Sequence, residues 1–155
     1  MQVFRVLVIA LAAALVAPAV AHAQGGAPNK QVYNAPNARP GGVLSPAVRV
    51  GDVLFLSGAL GTKPGGGGLA EGGIQGQTRQ ALENIKASLA LAGGQMEDIS
   101  KCTVFLTDVK DFQGMNGAYR EFFPSNPPAR TTVAVAGLVV EGALIEIECI
   151  AAARK

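Results

Sequence analysis

Along residues 144–152 apolar and polar positions alternate: Ile145, Ile147 and Cys149 fall on one side of an extended chain, Glu146 and Glu148 on the other. A period of two predicts a strand with one buried face. Residues 102–107 (CTVFLT) and 131–136 are rich in β-branched side chains and read as two more strands. Residues 47–57 read as a hairpin, with Val48 and Val50 alternating, Gly51-Asp52 as the turn and VLFLS as the returning strand. Between strands the period lengthens. Leu82, Ile85, Leu89 and Ala92 recur at helical spacing and predict a helix over 74–92, which Gly93-Gly94 ends. A shorter helix is expected over 111–123. Its apolar face is Phe112, Met115, Tyr119 and Phe122, Asp111 is its N-cap, and Pro124 stops it.

The order is β-β-α-β-α-β-β, with a turn near Glu141-Gly142 between the last two strands. Each helix joins two strands, so both cross over onto one shared sheet. With both helices on one face, the other face is left uncovered, and a domain of this size buries such a face by oligomerising. Residues 61–73 hold seven glycines and form a surface loop. Within it, 65–70 formally fits G-x-G-x-x-A, but no dinucleotide fold surrounds that match, so it carries no phosphate site.

The N-terminus has a separate character. Arg5 precedes an uninterrupted apolar run over 6–16, Pro18 breaks the run, and Ala21-His22-Ala23 is an A-x-A cleavage site. Residues 1–23 therefore read as a signal peptide, and the mature protein as periplasmic or secreted, without stable membrane association after cleavage. Residues 24–42 contain three prolines and three asparagines without a period and read as a flexible arm. The globular domain is 43–155.

Composition narrows the chemistry. The 155 residues carry 13 Lys+Arg, 11 Asp+Glu and one histidine. Charge this balanced gives no basic surface for nucleic acid. The lone histidine, His22, lies in the signal segment, so the mature chain has no Ser-His-Asp or Cys-His catalytic group and no histidine-held metal. Cys102 and Cys149 each lie in an apolar strand and are read as two buried core residues; a disulfide would require that they face each other. Glu146 and Glu148 project from the uncovered face. Arg130 follows Asn126-Pro127-Pro128-Ala129, a stiff segment that fixes where its strand begins, and a guanidinium held there is a two-pronged receptor for a carboxylate. Arg130 with one nearby buried glutamate makes a simple site. The arginine orients a small acid, and the glutamate, its pKa raised by burial, holds and deprotonates a water.

Pro128-Ala129-Arg130-Thr131-Thr132-Val133 followed by Ile145-Glu146-Ile147-Glu148 resembles the signature of the RidA (YjgF, L-PSP) family. Ser45-Pro46-Ala47-Val48, Leu56-Ser57-Gly58, QTRQALENI over 77–85 and Val104-Phe105-Leu106-Thr107-Asp108 support it, so the resemblance covers 43–154. It implies an α+β, chorismate-mutase-like fold, a mixed sheet with two helices on one face, assembled as a homotrimer with active sites in clefts between subunits. It implies hydrolysis of enamines and imines such as 2-aminoacrylate and 2-iminopropanoate to 2-oxo acids and ammonia, without metal or organic cofactor. The carboxylate-binding arginine falls on Arg130, the water-positioning glutamate on Glu146, and a carbonyl that helps hold the water on Thr132. Ser57 and Gly58 line the pocket. The sequence departs from the family at Leu44, where tyrosine is frequent, at Ala59, where glutamine is frequent, and by one extra residue between Arg130 and Glu146. Leu44 makes the substrate pocket more apolar. The alternative is a non-catalytic trimer that binds small carboxylates outside the cytoplasm. A ribonuclease reading lacks the groups that phosphodiester cleavage needs.

Overall fold

The computed structural model describes residues 29–36 and 41–154. The expected signal peptide 1–23 and part of the arm lie outside them. Seven strands form one sheet: β1 Lys30–Tyr33, β2 Ala47–Val50, β3 Val53–Leu56, β4 Ala59–Leu60, β5 Ile99–Leu106, β6 Ala129–Ala134 and β7 Ile145–Ala152. Two helices, α1 Gly73–Leu91 and α2 Phe112–Phe122, form the crossovers. The strand order is β1-β2-β3-β7-β5-β6, with β4 also paired to β7. β5 and β6 run parallel and every other pair is antiparallel. β6 and β7 therefore do not form a hairpin, because β5 lies between them.

The period of two in β7 holds: Ile145, Ile147, Cys149 and Ala151 are buried, while Glu146 is half-buried and Glu148 and Ile150 are exposed. On β5, Ile99, Cys102, Val104 and Leu106 are buried in the same layer. Leu82, Ile85 and Leu89 of α1 and Met115 and Tyr119 of α2 close over them. Gln77 of α1 is the main polar group in this layer. It donates to the Gly142 carbonyl at 3.2 Å and accepts from the Leu144 amide at 2.8 Å. The buried amide thus fixes where β7 begins, and both its polar ends are satisfied.

The structure corrects three expectations here. Cys102 and Cys149 are joined in a disulfide. They stand directly opposite each other on β5 and β7, with Cα atoms 4.1 Å apart. That register, which no single strand reveals, brings the two sulfurs together. The 24–42 arm is not wholly loose, since β1 pairs along β2 with Val32 opposite Val48. Four residues are too few for a period to show in the sequence. Asp111 makes no capping hydrogen bond; Asp108 caps instead, accepting from the Lys110 amide at 2.9 Å, because a 3₁₀ turn over Val109–Asp111 precedes α2. The glycine-rich segment is an ordered surface loop closed by a bridge between Thr62 and Leu69 and tied down by Asn84, which donates to the carbonyls of Leu60 and Thr62.

The uncovered face is as expected. Val32, Val48, Phe55 and Ile150 stand in register across four strands, and Phe55 is 46% exposed.

Candidate active site

Arg130 is the second residue of β6, the edge strand, and points toward α2, sharing a face with Cys102 opposite it on β5. Its guanidinium is half-buried. Nη2 donates to Asn116 Oδ1 at 2.6 Å, and Nη1 lies 3.6 Å from Met115 Sδ. The guanidinium carbon sits 4.7 Å from the centre of the Tyr119 ring and 5.9 Å from that of Phe112. Stacking on an aromatic face and one amide hydrogen bond hold the arginine while leaving other N–H groups to face outward. None of the ion pairs among the described residues uses Arg130. It opens onto a cleft of about 340 Å³ whose walls include Asn116, Tyr119, Pro127 and Pro128. Burial pushes the Tyr119 phenol up to about 12, against the opposing pull of the Arg130 charge. The Tyr119 hydroxyl and Thr132 Oγ1 are buried without a hydrogen-bond partner. Both lie on the Arg130 side of the sheet.

Residues Phe112, Met115 and Tyr119, expected as the core face of the second helix, thus also cage the arginine. Asn116 was not singled out by the sequence. Its one signal is a polar residue next to that apolar stripe, one helical step from Met115.

Thr132 follows Arg130 on the same face. The Val135 amide donates to the Leu106 carbonyl at 2.8 Å, so the main chain of Val135 and Val133 faces β5. By the two-residue period the carbonyl of Thr132 points to the free edge of the sheet.

Glu146 lies elsewhere. On β7 it faces the uncovered side, half-buried rather than buried, beside Phe105, Val135 and Glu148 in a shallow cleft of about 330 Å³. Gly58 interrupts the line between β3 and β4 under this carboxylate, and a Cβ at Gly58 would collide with Glu146 Oε1. A residue without a side chain is needed for the carboxylate to lie over the strand. Ser57 beside it donates from Oγ to the Ser45 carbonyl at 2.8 Å, which ties down the segment before β2. Leu44, one residue earlier, is 65% exposed.

The expected site is therefore split. Arg130 and Thr132 lie on the helix-covered face, and Glu146, Gly58 and Ser57 on or beside the open one. The idea of one arginine and one nearby glutamate fails within a chain, because the strand parity of each residue sends its side chain to the opposite side of the sheet. Among the described residues, no three His, Cys, Asp or Glu side chains cluster as a metal site.

The Endoribonuclease L-PSP family model matches residues 33–153. The chain belongs to this family. A RutC family protein of Pyrococcus horikoshii is 46% identical over 123 residues, covering 79% of this chain and 97% of that protein. The human protein named 2-iminobutanoate/2-iminopropanoate deaminase is 40% identical over 110 residues, covering 71% of this chain and 80% of its own length. The crystal structure of RidA from an Antarctic Psychrobacter superposes with a TM-score of 0.71 at 38% identity, over 79% of this chain and 98% of that one. The α+β architecture with two helices on one face is that of the L-PSP family, and imine deamination is an activity named among its members.

Proposed function

We propose that this chain hydrolyses 2-imino acids and their enamine tautomers to 2-oxo acids and ammonia, at a site completed between copies of the chain. The observation that carries this reading is Arg130: a half-buried guanidinium, held by Asn116 and Tyr119, with no carboxylate partner among the described residues. It suits the carboxylate of a small acid in a two-pronged hydrogen bond. Glu146 faces the opposite side of the sheet, so it reaches such a substrate only from a neighbouring copy. The exposed apolar row through Phe55 and the free edge of β6 are the surfaces available for that assembly, read here as a homotrimer.

In this arrangement Glu146 holds a water, with the Thr132 carbonyl as a second acceptor and Ser57-Gly58 as the wall behind it. Glu146 takes a proton as the water oxygen bonds to the imine carbon, and the C=N π pair moves to nitrogen, which is protonated. Collapse of the carbinolamine re-forms a C=O and expels ammonia. One water is consumed and no redox change occurs. The names carried by relatives about 40% identical support this reading. Read as an export signal, residues 1–23 would put the protein outside the cytoplasm, and the disulfide supports that reading, since such bonds persist in oxidising compartments.

A second reading, a non-catalytic binder of small carboxylates, is favoured by Leu44, which brings no hydroxyl to the site. An assay in which an amino acid oxidase generates the imine in situ separates the two. Arg130→Ala is expected to lower kcat/KM by about a hundredfold or more, since a charged hydrogen-bond pair is lost. Glu146→Gln should lower kcat by about 10² or more while leaving pyruvate affinity nearly unchanged. Pyruvate binding without acceleration of any imino acid would establish the binder instead.

A further inference from the structure

The walls of the Arg130 cleft include a second arginine that this chemistry does not use. Arg120 lies on α2 one turn beyond Asn116 and lines the same cleft. Arg49, Arg79 and Arg154 each have a carboxylate within 4 Å, at 3.8, 2.6 and 2.6 Å respectively. Among the described arginines, only Arg120 and Arg130 have none, and these two share one cleft. No acidic side chain lines it. Two like charges converging on one concavity repel each other, and an anion between them turns that cost into attraction. The two also differ in burial: Arg130 is half-buried and caged, whereas Arg120 is exposed. A cleft of about 340 Å³ has room for a small molecule reaching from one to the other.

We infer that the cleft selects substrates with two anionic groups, namely 2-imino dicarboxylates, with Arg130 taking the carboxylate beside the imine and Arg120 the distal one. The reaction rests on the deaminase reading above, whereas the binding preference stands on the cleft alone. The chemistry is unchanged: water adds to the imine carbon, ammonia leaves, and the distal carboxylate is a spectator. A cation in the last turn of α2 also favours the helix end, but that role affects folding and not the choice between substrates.

The test compares imines generated from aspartate and from alanine, for wild type, Arg120→Gln and Arg120→Lys. Wild type is expected to favour the dicarboxylate. Arg120→Gln should lower kcat/KM for it by about tenfold more than for the monocarboxylate, chiefly through KM, with partial recovery in Arg120→Lys. Equal losses on both substrates, or an unchanged ratio, would overturn the inference while leaving the deaminase reading intact. If wild type turns over neither imine, the deaminase reading fails, and calorimetry still decides the preference. Tighter binding of oxaloacetate than of pyruvate, reduced by Arg120→Gln, would support it, and equal binding would overturn it.

Discussion

On the helix-covered face, the side chains of β5 and β7 are apolar, buried and cross-linked; on the open face, the same two strands present Phe105, Glu146, Glu148 and Ile150. The covered face packs its core within one chain, and Arg130 sits at its margin on an aromatic cage. The open face is incomplete. It offers an apolar row at one end and two carboxylates at the other, neither of which enters an ion pair among the described residues. The difference shows that the core is confined to one side of the sheet, whereas the candidate site draws on both, with Arg130 from the covered side and Glu146 from the open one. A substitution in the apolar row of the open face should therefore leave the core standing, and one in the core should leave that row standing.

The sharpest way to break this division is Phe55→Asp. A charge in the middle of the apolar row should abolish assembly, read by light scattering or sedimentation, and imine hydrolysis with it. The single chain should stay folded, because Phe55 lies outside the core. An assembled, active Phe55→Asp protein would place the contact elsewhere.

The reciprocal test removes the cross-link from the covered face. Replacing Cys102 and Cys149 together by alanine should cost about 4 kcal/mol in urea unfolding, the loop-closure value for a separation of 47 residues. Assembly of the folded fraction should persist.

A smaller effect concerns Tyr119. Its phenol is pushed up to about 12, so the folded state keeps a proton that the unfolded chain loses near pH 10. Stability contributed by this group is complete below pH 10 and is lost as pH rises toward 12, by about 2 kcal/mol in all. Tyr119→Phe should remove that slope, and tyrosinate absorbance should show one late-titrating phenol in the wild type.

The strands and helices were largely legible because each carries its own period. The 3.6-residue spacing of Leu82, Ile85 and Leu89 and the alternation in β7 are local properties, and the faces they define are the observed ones. What was not legible depends on pairs distant in sequence. Nothing in residues 99–106 states that Cys102 will stand opposite Cys149. The apolar face of α2 reads the same whether it packs a core or cages an arginine, so Tyr119 and Asn116 gained their roles only when β6 was placed beside them. Arg130 and Glu146 were both singled out by the sequence, yet their opposition across the sheet was not, since parity is relative until the neighbouring strands are known.

β7 follows every other described element, and its cysteine meets Cys102 only in a single alignment. A slip of one residue would turn Cys149 to the outer side of the sheet and leave two thiols. The bond is thus a covalent record of correct alignment, written once the final strand has settled. In an oxidised preparation, every two free thiols mark one chain whose last strand is misplaced.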